Sequence, residues 1–185
     1  MLLGTLPFAA VAIAYLFASA QRLAVNPSDK LLPSPAQMWS AFSDLATVPD
    51  KRSGDLILWA DTYASLIRLF AGVGMATLVA LSLGVAIGFI PRVMVLRLVL
   101  PQVMPRLITC VRLALGPAWL FLIAAEAIAS TEGLGYRIFL VRRYLSMDVI
   151  LPYVAWITLL AVMTDWLLVR LSHIISPWAH PVRTR

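Results

Sequence analysis

The chain has 185 residues, of which 61% are hydrophobic and only 13% are charged, and its mean hydropathy is +0.88. A soluble domain is about 45–50% apolar and about 25% charged, so this chain cannot cover its apolar residues with polar ones. The net charge of +6 does not indicate nucleic-acid binding, because the basic residues stand singly between apolar runs. The composition therefore predicts an all-α membrane protein, since a bilayer is the solvent that suits such a chain.

Four apolar runs are long enough to cross a bilayer, which takes about 20 residues in a helix. We predict a single membrane domain over residues 1–185 with spans at about 2–20, 61–90, 107–129 and 149–171. The first run has a second interpretation as a signal peptide, because small residues resembling a cleavage site follow it. We favour the span, because no Lys or Arg precedes the run and the run is long for a signal peptide.

The connector 21–60 contains the segment SPAQMWSAF, which predicts the start of a short helix. Ser34 is a good N-cap, a proline follows at the first helical position, and Gln37 completes a capping box. The apolar residues that come next include Trp39 and Phe42. Their spacing fits a helix lying on the bilayer surface and equally a small packed loop helix.

The distribution of Lys and Arg near the membrane ends predicts the orientation. The connector 91–106 has three arginines and no acidic residue, which places it and both termini in the cytoplasm and the connector 21–60 in the periplasm. The same topology puts the connector 130–148 outside, although it carries Arg137, Arg142 and Arg143. These arginines either contact lipid headgroups or attract an anion to the outer mouth of a path.

The second span has small residues at every fourth position, and the last two of them form a GxxxG pattern. Small residues let helix backbones approach closely in lipid, so we predict a helix-packing surface. Its members are Gly72, Ala76, Ala80, Gly84 and Gly88.

Ionisable residues interrupt the last two spans. Arg112 and Glu126 stand fourteen residues apart in the third span, which is about 21 Å of helix and too far for them to pair. Arg112 either reaches the headgroups or lines a translocation path. Asp165 is expected to cap a helix or pair with a basic group, and Gly116-Pro117 predicts a kink in the third span.

The sequence has no pattern that indicates catalysis or a bound cofactor. It lacks a Walker A loop and the GxSxG and HExxH patterns. His173 and His180 are not at metal-ligand spacing, and the single Cys110 is interpreted as apolar packing. We therefore predict no catalytic residue, no metal, no cofactor and no enzymatic activity.

A longer motif lies in the segment LRLVLPQVMPRLITCVRLALGPAWLFLIAAEAIASTEGLGYRI, from Leu96 to Ile138. It resembles the C-terminal half of ABC importer permeases of the nitrate, sulfonate and taurine type. In these permeases one helix begins with an LP…P pattern and continues with an arginine and the patterns ALG and AW. The patterns AE and GLGY follow later in the chain. The segments LLPSPAQMWSAF and DTYASLIRLFAGVGMATLVALSLGVAIGF are also similar, so the resemblance extends from Leu31 to about Trp178.

The resemblance implies an ATPase-docking loop before the penultimate span, and here that loop is mostly absent. Arg97, Leu100 and Pro101 match its end, but its EAA segment and the two central spans that precede it are missing. The arginines and prolines of 91–107 thus look like two loop ends joined together. This departure puts ATPase coupling in doubt.

The resemblance implies a permease subunit of a bacterial ABC importer in the inner membrane, working by alternating access for a small solute that the sequence does not identify. Its expected partners are an ABC ATPase, a periplasmic solute-binding protein, a second copy of the permease and the lipid bilayer. The candidate path or gate residues are Arg112, Pro117, Trp119 and Glu126. The alternative is a non-transporting remnant or a helical membrane partner protein.

Overall fold

The structure, a computed structural model, describes residues 2–26, 29–50, 54–87 and 100–175. Within these ranges the chain forms helices and no strand, so the all-α fold class is confirmed. The helices are α1 Leu2–Val25, α2 Pro35–Thr47, α3 Ile57–Ile87, α4 Leu100–Ala129, α5 Leu134–Arg142 and α6 Met147–Ile175.

Three of the described helices are long and apolar enough to cross a membrane, namely Ile57–Ala86, Gln102–Ala129 and Met147–Ile175. They correspond to the second, third and fourth predicted spans. α1 has 24 residues, and its described apolar stretch is Ala9–Val25. The first span stays a prediction.

The helices extend beyond the apolar runs that predicted them. α3 begins at Ile57, α4 begins at Leu100, and α6 continues from Met147 to Ile175. Hydropathy marks only the most apolar stretch of a helix, whereas the helix also includes flanking residues that are less apolar, such as Gln102 and Arg106 in α4 and Ser172 and His173 in α6. Pro101 lies in the first turn of α4, where the N–H that proline lacks would have no helical acceptor.

The predicted capping box at the start of α2 is confirmed. The Ser34 N–H donates to Gln37 Oε1 over 2.8 Å, and the Gln37 N–H donates to Ser34 Oγ over 3.2 Å. These bonds satisfy two backbone donors that a helix start leaves without a partner.

Aromatic side chains hold α2 against the first turn of α3 and the middle of α6. The Phe42 and Trp156 ring centroids lie 5.7 Å apart, and the Trp59 indole N–H donates to the Ala46 carbonyl. These contacts pack α2 on the protein, while Trp39 remains exposed, so both interpretations of α2 stay predictions.

The residues that precede α2 are tied to α1 and α6. The Tyr15 hydroxyl donates to the Pro33 carbonyl over 2.8 Å, and the Ser19 hydroxyl donates to the Leu32 carbonyl over 3.1 Å. The Met147 N–H donates to the Lys30 carbonyl over 3.1 Å.

The chain divides into two compact units. The first consists of Met1–Thr62 and Glu126–Trp156, and the second of Tyr63–Ala125 and Ile157–Arg185. α3, α4 and α6 therefore contribute residues to both units. Leu58, Leu134 and Tyr153 are buried in the first unit, whereas Leu69 and Leu115 are buried in the second. The prediction of one domain over the whole chain stays a prediction.

Replacing Ser34 with alanine should loosen the start of α2. Loss of an N-cap side chain costs about 1 kcal/mol, so the first amides of α2 should exchange about fivefold faster with deuterium. Hydrogen exchange of the protein in lipid nanodiscs measures this. Ser43→Ala is the control, because Ser43 Oγ bonds the Ser40 carbonyl within the helix and leaves the cap intact. Equal exchange in the two variants would contradict the prediction.

Candidate functional site

Two polar clusters interrupt the apolar helices, one in each compact unit. The cluster in the first unit holds helix α5 in place, and we name it the α5 anchor. Its members are Asp61, Glu126, Gly133, Gly135, Arg137 and Tyr153.

Asp61 is the acceptor that connects most of the α5 anchor. It is 1% exposed and receives the Gly133 N–H over 3.0 Å, Arg137 Nε over 2.8 Å and the Tyr153 hydroxyl over 3.4 Å. A buried carboxylate is tolerated only when it is paired and hydrogen-bonded. Asp61, which lies on α3, meets both conditions because it accepts hydrogen bonds from Arg137 of α5, from Tyr153 of α6 and from the Gly133 N–H just before α5.

Glu126 lies in the last turns of α4 and is 2% exposed. Its Oε2 accepts the Gly135 N–H over 3.0 Å. Gly133 approaches so closely that a Cβ atom there would stand 2.6 Å from the Glu126 carboxyl carbon, and its φ is +130°. Both facts require glycine at this position, because other residues rarely adopt that φ.

The carboxylates of the anchor take the place of a side-chain cap on α5. Gly133 is the N-cap of α5 and offers no side chain to cap it. Asp61 and Glu126 instead accept the Gly133 and Gly135 N–H groups from outside the helix. A helix N-terminus favours negative charge, so these contacts stabilise both the helix end and the buried carboxylates.

Arg137 completes the anchor from within α5. Burial opposes its charge, but the hydrogen bond and negative charge of Asp61 outweigh that effect and raise the pKa of Arg137 above its ordinary value. We expected Arg137 to contact headgroups or attract an anion, whereas its side chain is bonded to Asp61. Arg142 and Arg143 are exposed, and their contact with headgroups or an anion stays a prediction.

The second cluster is an ion pair between α4 and α6, which we name the transmembrane pair. Arg112 Nε donates to Asp165 Oδ1 over 2.7 Å, and Arg112 Nη2 donates to Asp165 Oδ2 over 2.9 Å. This is the two-pronged geometry in which a guanidinium binds a carboxylate most strongly. Asp165 thus has the basic partner expected from the sequence.

The other candidate path residues lie on the same helices without joining either cluster. Pro117 lies inside α4, which continues through it as one helix. Trp119 is buried, and its indole N–H has no acceptor among the described residues. The kink at Pro117 and a role of these residues in a path stay predictions.

The predicted helix-packing residues border an apolar groove. Gly72, Ala76 and Ala80 of α3 face Ala114 and Ala118 of α4 across a groove of about 540 Å³. Gly84 is exposed, and Gly88 lies outside the described residues. Of the predicted ATPase-docking remnant, Leu100 and Pro101 are the first residues of α4, while Arg97 also lies outside the described part of the chain.

Sequence reasoning missed Asp61 and Tyr153 as functional residues. It treated Asp61 only as the start of a helix, although a lone acid at the end of an apolar run is itself a signal of a buried partner. It also left the connector 130–148 without a helix, although α5 begins within the GLGY motif. Among the residues that the structure describes, no group of three or more His, Cys, Asp or Glu side chains could hold a metal ion.

The segment that forms α4, α5 and α6 also matches a known family. Residues 81–179, more than half of the chain, match the family described as binding-protein-dependent transport system inner membrane component. The chain belongs to this family. It is therefore a transport permease by family and a multi-pass protein of the inner membrane. No solved structure gives a significant match.

Curated relatives cover parts of this permease. The taurine transport system permease protein TauC of Escherichia coli is 36% identical over 80 residues, which are 43% of this chain and 29% of TauC. The putative aliphatic sulfonates transport permease protein SsuC of the same organism is 36% identical over 70 residues, which are 38% of this chain and 27% of SsuC. A probable ABC transporter permease protein of Brucella melitensis is 27% identical over 123 residues, which are 66% of this chain and 50% of that protein. The chain thus spans about half or less of the length of these relatives.

Replacing Gly133 with alanine should destabilise the permease. The added Cβ would force the Glu126 carboxylate away from the Gly135 N–H, and an unpaired buried polar group costs about 1–3 kcal/mol in addition to the strain at φ. Gly54→Ala is the matched control, because Gly54 has a φ of +74° but open space around its Cβ position. Thermal unfolding in detergent should place the midpoint of Gly133→Ala well below that of Gly54→Ala, and equal midpoints would refute the close contact.

Replacing Asp61 with asparagine should leave the partly buried Arg137 without a charged partner. Breaking a buried pair costs about 3–5 kcal/mol, so the unfolding midpoint should fall strongly, and Asp61→Asn with Arg137→Gln should recover part of the loss. Arg22→Gln is the control, because the Arg22–Asp29 pair is longer at 3.4 Å and its arginine is 52% exposed. That change should cost less than about 1 kcal/mol. A midpoint for Asp61→Asn as high as that of Arg22→Gln would contradict the prediction.

Proposed function

We propose that this chain is the permease subunit of a bacterial ABC importer for a small sulfonate-like or nitrate-like solute. Family membership over residues 81–179 carries the proposal. Two of the similar permeases are named for taurine and for aliphatic sulfonates, which supports this class of solute. The chain itself carries out no catalysis in this proposal, because ATP hydrolysis belongs to a separate ATPase subunit.

The structure supports the proposal by accounting for the charges of the matched segment. The apolar span helices that contain Glu126, Arg112 and Asp165 are compatible with a bilayer only when these charges have partners. Glu126 and Arg137 are held in the α5 anchor, and Arg112 binds Asp165.

The proposed mechanism is alternating access. Two copies of the permease enclose the path, and ATP binding and hydrolysis at two ATPase subunits switch its opening between the two sides of the membrane. A periplasmic binding protein delivers the solute. In the proposed orientation both termini are cytoplasmic and α5 lies at the periplasmic end, where the exposed Arg142 and Arg143 raise the local concentration of anions.

The ATPase is proposed to dock at the start of α4. Leu100 and Pro101 begin that helix, and Arg97 precedes them in the sequence. A helix end that projects toward the cytoplasm presents a rigid element through which the motion of an ATPase subunit can reach α4.

A second candidate is a membrane partner protein that does not transport. The chain spans about half or less of the length of its curated relatives. The apolar groove beside Gly72 and Ala76 offers a surface on which the helix of another subunit could pack. The two candidates differ in whether the chain binds an ATPase.

Co-purification tests the importer. We expect an affinity tag on this chain, co-expressed with the ATPase encoded beside its gene and solubilised in mild detergent, to recover the ATPase in stoichiometric amount. Leu100→Asp should remove most of the ATPase, because a charge at a docking residue opposes its apolar contact with the ATPase. Val103→Asp is the matched control and should leave the recovery of the ATPase unchanged, because Val103 is an exposed apolar residue of the same helix that is not one of the proposed docking residues.

The result that would overturn the proposal needs a positive control. A version of the chain with the two central spans and the EAA loop of a full-length relative inserted after residue 90 should bind the ATPase. If that version recovers the ATPase and the native chain does not, the native chain is the non-transporting partner.

A further inference from the structure

The transmembrane pair lies close to the middle of two apolar helices. The span Gln102–Ala129 is centred between residues 115 and 116, and the span Met147–Ile175 is centred at residue 161. Arg112 and Asp165 stand three to four residues from those centres, which is about 5–6 Å of helix rise. The hydrocarbon layer extends about 15 Å on each side of its centre, so helices centred in that layer would hold both charges inside it.

The pair is also incompletely covered. The Arg112 side chain is 37% exposed and the Asp165 side chain is 46% exposed, whereas Asp61 in the α5 anchor is 1% exposed. Ionisable groups at this depth are rare and face the interior of a bundle or a water-filled cavity. We therefore expect the exposed side of the pair to face water or a polar group and not lipid tails.

The surface next to the pair is open at Gly116. Gly116 is one helical turn from Arg112 on the same side of α4. A Cβ atom at Gly116 would meet no atom of the described residues within 4 Å. Thr109, three residues before Arg112, is also exposed and adds a hydroxyl to this face. A charged pair, a hydroxyl and an open glycine thus share one side of the helix.

We propose that Arg112 and Asp165 form a binding site in the translocation path for a small zwitterion, a solute with one anionic group and one ammonium group. This inference rests on the proposed importer function and specifies the class of solute that the importer carries. Arg112 binds the anionic group, Asp165 binds the ammonium group, and the two side chains pair with each other when no solute is present.

Charge balance favours a zwitterion over a simple anion. A simple anion that took Arg112 from Asp165 would leave a carboxylate without a partner and a net charge of −1 near the membrane centre, where an unpaired charge is strongly unfavourable. Binding of a zwitterion replaces the Arg112–Asp165 pair with two ion pairs, one at each side chain, and leaves the net charge of the site at zero. The Arg112 fork that now holds two carboxylate oxygens can hold two oxygens of a sulfonate or carboxylate in the same way.

Cysteine labelling of the full-length chain in proteoliposomes tests the site. The reporter is Gly116→Cys in a Cys110→Ser background, and it leaves the pair intact. The reagent is the sulfonate-bearing methanethiosulfonate MTSES, which does not enter hydrocarbon. The matched control is Leu113→Cys in the same background, because Leu113 is 76% exposed and lies about 100° around α4 from Arg112. We expect the reporter thiol to react and the control thiol to remain unmodified.

Protection by solute tests the chemistry. Saturating 2-aminoethanesulfonate should slow the reaction of the reporter thiol at least about fivefold by occupying the site. Ethanesulfonate, which has the same anionic group and no ammonium, should protect much less. Arg112→Gln with Asp165→Asn removes both charges without leaving either unpaired, so this variant should fold, keep a reactive reporter thiol and lose the protection. Monodisperse elution from size-exclusion chromatography checks folding.

Three results would overturn the inference: equal reactivity of the reporter and control thiols, equal protection by both sulfonates, or protection that persists in the neutral variant. None of these measurements involves the ATPase. Recovery of the ATPase without protection would overturn the binding site and leave the importer standing. Protection without recovery of the ATPase would overturn the importer and leave a binding site.

Discussion

The structure depends on one constraint: a charge or a backbone polar group inside an apolar bundle must have a partner. Asp61 and Glu126 meet it by accepting backbone N–H groups from the start of α5, and Asp61 also binds Arg137. A short helix of nine residues would be marginal by itself. Its position is fixed because two buried carboxylates need its N-terminus as much as the helix end needs them.

Much of the fold follows from local sequence and could be predicted. The capping box of Ser34 and Gln37 involves residues three apart, and the three span-length helices follow from continuous apolar runs. The three span-length helices begin before the predicted spans, because hydropathy marks only the most apolar stretch of a longer helix. The sequence alone also could not decide whether α2 packs on the protein or on lipid, since an aromatic stripe suits both.

The polar clusters could be predicted only in part, because their contacts are distant in sequence. Asp61 and Arg137 are 76 residues apart, and Arg112 and Asp165 are 53 apart. No spacing rule links such pairs. The GLGY motif was recognised through a family resemblance, but its physical reason emerged from the structure: Gly133 has a φ of +130° and lies against the Glu126 carboxyl group.

The ion pairs of the two polar clusters differ in how replaceable their partners are. Asp61 has an arginine, a backbone N–H and a tyrosine hydroxyl around it, so removing any one partner leaves a buried charge poorly compensated. Arg112 and Asp165 are bonded mainly to each other, and both remain partly exposed. A pair of that kind can open when another molecule offers both charges at once. Burial therefore separates a charge pair that holds the fold from one that is free to exchange its partners.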